Sequence, residues 1–160
     1  MVQVDELEKI PLFRDLPEWA LEQFAKAAVQ RDIGQNEFIM YQHEEANSVY
    51  FLLSGSVDFH LRFEGVDDML VGATQEFGAL LGWSVFRPPY RFTASVRCEE
   101  PCRLIEIPRD IFEKIFEKDP GLGYEVLKRV AVTVANRLEQ TRDLLVMSSE
   151  EIRPEGESRE

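Results

Sequence analysis

The sequence predicts a mainly β fold, a barrel or jelly roll of short strands with helices at both ends. Two observations carry this expectation. Short β-branched or aromatic runs recur through the middle of the chain: NEFIMYQ, SVYFLLSGSVDFHLRF, DMLVGA, FTASVR and CRLIEIP, set apart by Gly, Asn, Asp, Pro or charged residues. On either side of them the apolar spacing turns helical. The length of 160 residues suits one domain with its own core.

In chain order, Leu21, Phe24, Ala25 and Ala28 follow Pro17 at helical spacing, so a helix is expected to begin just after that proline. From about Gln30 the period shortens toward that of strands. Ser54-Gly55, between two strand-like runs, is a hairpin signal, because Gly tolerates the positive φ of a tight turn. After CRLIEIP, the segment RDIFEKIFEKDP reads as a short helix. A long helix then starts at Asp119-Pro120, an N-cap and first-turn pair. Leu127, Val130, Val134, Leu138, Thr141 and Leu145 form a stripe along it. The polar ending SSEEIRPEGESRE, residues 148–160, has no apolar period and is expected to be a disordered tail.

Composition excludes several classes. A net charge of −12 opposes binding to a nucleic-acid backbone, and no basic patch offsets it. No apolar run is long enough to span a membrane. The start MVQVDELEKI lacks a basic segment followed by an apolar one, so a cytoplasmic location is expected. Cys98 and Cys102 are too few for a disulfide framework and read as buried thiols. His43 and His60 belong to no metal-ligand pattern, Glu44 and Glu45 read as a solvated turn, and no nucleophile elbow or phosphate loop is present, so an enzyme is not expected.

Three segments carry a resemblance. KIPLFRDLPEWALEQFA, EFIMYQHEEANSVYFLLSGSV and GWSVFRPPYRFTASV resemble the N-terminal helices, first strands and phosphate-binding cassette of the cyclic nucleotide-binding domain family. A long exit helix ending in VANRLEQTRDLL extends the likeness over roughly residues 7–147. It implies a β jelly-roll sensor of that type over residues 1–147, with helices at about 5–29, the roll at about 30–108 and exit helices at about 109–147. The family cassette runs Gly-Glu, two small or apolar residues and Leu, then, after a connection, Arg-Ser/Thr-Ala-Thr/Ser-Val. Laid on this chain without a gap, it puts Gly82 on the Gly, Phe86 on the Leu, and Thr93, Ala94, Ser95 and Val96 on the closing residues.

The two polar positions depart from that pattern. Trp83 stands at the Glu that would accept from a ribose hydroxyl, and Phe92 at the Arg that would neutralise phosphate. His43 occupies a turn position usually given to Gly. The resemblance therefore implies ligand-binding positions at Gly82, Trp83, Ser84, Arg91, Phe92, Thr93 and Ala94, with an ordinary cyclic nucleotide disfavoured and no other cofactor indicated. Three readings stand: a module whose pocket Trp83 and Phe92 fill by stacking on one another, a sensor for a small apolar or aromatic ligand, and a true cyclic-nucleotide binder using Arg91 and backbone amides. Arg91 alternates with Phe92 along the chain, so regular pleating sends it to the opposite face. The resemblance also implies a homodimer through the exit helix, with Arg129 and Arg137 beside Glu125 and Glu139 at its rim, and an unidentified partner protein. Residues 148–160 are too short for a helix-turn-helix domain, so DNA binding is not expected.

Overall fold

The computed structural model describes residues 1–151, and within them eight strands form two four-stranded antiparallel sheets. The first sheet runs β1 (Val29–Ile33), β8 (Cys102–Pro108), β3 (Ser48–Ser54) and β6 (Leu80–Leu81). The second runs β2 (Phe38–Met40), β7 (Ser95–Cys98), β4 (Val57–Phe63) and β5 (Val66–Thr74). This is the expected jelly roll, with two strands beyond those the sequence shows. β1 escapes notice because four of its five residues are exposed, leaving no alternation to read. β6 is two residues long.

The expected hairpin at Ser54-Gly55 is corrected. β3 pairs with β8 and β6, while β4 pairs with β5 and β7, so the chain changes sheets at this turn. Gly55 has φ 95°, and a Cβ there would lie 2.6 Å from the Pro101 carbonyl oxygen. The bend thus packs on the turn leading into β8, which takes the place beside β3 that β4 would occupy in a hairpin.

α1 (Val4–Glu8), a 3-10 turn at Pro11–Phe13 and α2 (Glu18–Ala27) cover one end of the roll. α2 begins directly after Pro17 and buries Ala20, Leu21, Phe24 and Ala25, the face its spacing predicts. Phe13, Phe24, Phe51 and Phe112 meet with ring centroids 4.7–6.4 Å apart, joining the N-terminal turn, α2, β3 and α3 (Arg109–Lys118). Each such contact contributes about 0.5–1.5 kcal/mol beyond the area it buries.

α4 (Pro120–Glu151) starts where Asp119 accepts a hydrogen bond from the Leu122 amide at 3.0 Å. The helix passes residue 147, the boundary set by composition, and the polar residues 148–151 continue it. The rest of the expected tail, residues 152–160, lies outside the described residues. The stripe on α4 also divides. Val130 is buried on the domain, as is Val126 beside it on the helix face, while Leu127, Leu138 and Leu145 are exposed.

Candidate functional site

The cassette stretch is built as a turn followed by a return to the sheet. Gly82 takes φ 86° and ψ 45°, and one 3-10 turn, Trp83–Phe86, follows it. A second turn carries the cis Pro88–Pro89 bond and Tyr90 at φ 56°, closed by a 2.9 Å bond from the Tyr90 amide to the Arg87 carbonyl. The chain then runs beside residues 43–46. The His43 amide donates to the Phe92 carbonyl at 2.8 Å, the Phe92 amide to Glu44 at 2.9 Å, and the Ala46 amide to Tyr90 at 2.7 Å. His43, at φ 74°, does adopt the left-handed conformation that its turn requires.

That short ladder decides the direction of two side chains. Phe92 points inward and is buried, close enough that a Cβ on Gly82 would sit 2.9 Å from its ring and 3.3 Å from the Met40 methyl. Arg91 points outward, exposed, and donates to the His43 carbonyl at 2.9 Å. The alternation is the one pleating predicts. Trp83 is half-buried and packs on the core, Ser84 is buried, Thr93 is exposed and Ala94 half-buried. Gly82 and Phe92 are therefore in contact, whereas Arg91 and Thr93 face away. The expected Trp83–Phe92 stack is absent from the aromatic contacts among the described residues. Phe86 turns instead toward the exit helices, edge-on to Phe112 at 5.1 Å and stacked near Phe116 at 6.2 Å.

The sequence model of the cyclic nucleotide-binding domain matches residues 30–119. The chain belongs to that family. No curated protein matches it, but solved structures share the fold. A cyclic nucleotide-binding protein of Geobacter metallireducens superposes with TM-score 0.75 at 24% identity, covering 86% of this chain and 99% of its own. The sensor domain of the transcriptional regulator DNR from Pseudomonas aeruginosa gives 0.68 at 17%, covering 81% and 91%. A Trypanosoma cruzi regulatory subunit of a cAMP-independent protein kinase A, bound to guanosine, gives 0.70 at 22%; it covers 91% of this chain, which spans half of that one.

In this cyclic nucleotide-binding domain, Gly82 is followed by a four-residue 3-10 turn, and the inward residue of the returning chain is the buried Phe92. Among the described residues no group of three or more His, Cys, Asp or Glu side chains could hold a metal ion, and no helix is long and apolar enough to cross a membrane.

Two polar features were not found by sequence reasoning. Asp58 is buried on β4, 3.0 Å from the Arg97 guanidinium and 3.6 Å from His60. Burial opposes its ionisation, yet hydrogen bonding with Glu99 and Arg97 outweighs that and holds its carboxyl below the usual range. Glu99 is raised in turn by its bond to Asp58. The other feature is Arg137. It does not flank a helix seam as expected: its guanidinium lies 3.9 Å from the centre of the Phe59 ring and donates to the Leu80 carbonyl at 3.4 Å. Arg129 likewise turns into the domain, donating to the carbonyls of Leu12 at 2.9 Å and Arg14 at 2.7 Å. Both corrections have one cause: these arginines share the helix face of Val126 and Val130, which packs on the roll. That shared spacing is the signal that could have found them.

Proposed function

We propose that this protein is a non-enzymatic regulatory module of the cyclic nucleotide-binding domain family whose cassette is closed to ordinary cyclic nucleotides and which acts through its exit helices on a partner protein. The observation that carries this is Phe92, buried against Gly82 and Met40 at the position where the family pattern has its phosphate-binding Arg. A buried phosphate without a cation would be left uncompensated, at a cost of several kcal/mol. Arg91 would have to leave the His43 carbonyl and swing to the other face to supply one. Repacking of residues 82–94 has a direct route to the output elements, because Phe86 bears on Phe112 and Phe116 of α3, and Phe116 packs on Gly123 of α4. The test is calorimetry and thermal shift with cyclic AMP and cyclic GMP at millimolar concentration. No heat and no shift are expected; a ligand at a hundred times its Kd would add about 2.7 kcal/mol, and such a shift overturns the reading.

A second reading keeps the pocket for a ligand without phosphate. What favours it is the trypanosomal neighbour, described as cAMP-independent and bound to guanosine. A nucleoside or other flat ligand in this chain would need Phe92 to rotate out, with Ser84 and amides after Gly82 as its polar contacts. Purine nucleosides in the same thermal-shift screen separate the two readings. The homodimer is proposed on α4, where Tyr124, Leu138 and Leu145 are exposed in heptad register with Ala131, and Leu127 with Val134. The domain is proposed to span residues 1–147, with the remainder of α4 beyond its packed part.

A further inference from the structure

A well-formed cleft lies away from the cassette. It has a volume of about 440 Å³ and opens between one face of α4, the segment from Ala73 to Leu80, and the Pro11–Leu12 turn. That volume is in the range of small-molecule sites. No residue from 81 to 94 lines it.

Its charge is unusual. Arg137 lines the cleft, yet forms no ion pair among the described residues, and its one hydrogen bond, to the Leu80 carbonyl, is long at 3.4 Å. A guanidinium has five N–H donors in a planar fork suited to an oxyanion. Here most of that fork is left for another group. Burial strips it of water and brings its pKa down to about 10, against a small opposing pull from Glu76. Glu76 is the one carboxylate on the lining and stays beyond ion-pair reach of Arg137. Arg129, the other cation there, is already committed to backbone carbonyls.

The remaining walls are of two kinds. Phe77 and Val132 are both largely exposed, at 49% and 61%, and with Leu12 they offer an apolar bed. Thr133, Asn136 and Gln140 follow at helical spacing on the α4 side, and Gln140 is already fixed by a 2.9 Å bond to the Ala73 carbonyl. An occupant that satisfies both kinds of wall has a charged head and an apolar body.

We propose that the cleft between α4 and the 73–80 segment binds a small organic oxyanion, a carboxylate or a phosphate monoester on an apolar body, with Arg137 holding the head group. Such a ligand bridges α4 to the roll. It leaves the exposed Tyr124–Leu138–Leu145 row free, since the cleft residues of α4 lie on the other side of the helix. The cassette reading and this one fail separately: cyclic-nucleotide binding at the cassette overturns the former and does not touch the latter.

The test is titration calorimetry on the full chain with 4-phenylbutyrate, phenyl phosphate and the neutral 4-phenylbutyramide. The wild type is expected to bind at least one anion saturably and the amide about tenfold more weakly. Whichever anion binds tighter assigns the head group as carboxylate or phosphate. Arg137→Gln is expected to erase the preference of acid over amide. Val132→Trp, at an exposed position on the cleft wall, is expected to abolish binding of both while leaving the unfolding midpoint unchanged. Equal binding of acid and amide by the wild type, no saturable heat with any probe at low millimolar concentration, or undiminished binding by Val132→Trp each overturns the proposal.

Discussion

Gly82 and Phe92 share a single constraint. Gly82 sits at φ 86°, and any Cβ would press the Phe92 ring at 2.9 Å. Gly82→Ala is expected to lower stability by about 1–3 kcal/mol, part from the positive φ and part from displacing the ring. In a Phe92→Leu background the steric part should shrink, giving a coupling of at least about 0.5 kcal/mol in a double-mutant cycle read by urea unfolding. Strict additivity would mean that the two residues do not touch in solution. Phe92→Ala alone should cost about 3–5 kcal/mol, the range for emptying a buried phenylalanine site. That Trp83 brings no acceptor and Phe92 no cation was legible from residue types alone, since Trp and Phe lack those groups wherever they point. Whether the pocket was filled was not, because that depends on Met40, more than fifty positions before Val96 and brought beside Gly82 only by the β2–β7 pairing.

At the scale of elements, α4 has one face packed on the roll and another left exposed. Its start is set locally: Asp119→Ala removes the acceptor of the Leu122 amide and should cost about 1 kcal/mol by urea unfolding. A loss below the error of measurement would show that the amide finds another partner. Farther along, Leu138 and Leu145 are 51% and 57% exposed in the single chain. Leu138→Glu with Leu145→Glu is expected to halve the mass seen by sedimentation while leaving the helical circular dichroism of each chain unchanged. A wild type that sediments as a monomer at micromolar concentration sinks the helix-seam dimer. The helical period announced α4, but it could not separate the face that packs on the roll from the face left outside. Arg129 and Arg137 were misplaced for that reason. The hairpin error at Ser54-Gly55 has the same character, since a Gly turn between two apolar runs reads alike whether the chain pairs with itself or crosses to a second sheet.

For the whole molecule, buried ionisable groups set a pH limit. Burial raises the Cys98 thiol from its ordinary 9 to about 12, and the Tyr50 hydroxyl from 10 to about 12. Both are raised above their unfolded values and both are neutral in the fold, so the stability they contribute is complete below about pH 9 and is lost as the pH climbs toward 12. The urea midpoint is expected to hold steady up to about pH 9 and then fall, with Cys98→Ala softening the decline. A midpoint that is flat to about pH 11 would mean that these groups are wetter than their burial indicates. By itself, the sequence determined the periods of its helices and strands, the family they resemble and the lack of a carboxylate at residue 83 and a cation at residue 92, because each of these rests on residues near one another in the chain. Only the tertiary structure decided that β3 and β4 belong to different sheets, that Phe92 closes on Gly82, and that Arg137 lies beside a cleft with no ion pair among the described residues. Those outcomes turn on which distant elements pack together, and burial then dictates where each side chain must point.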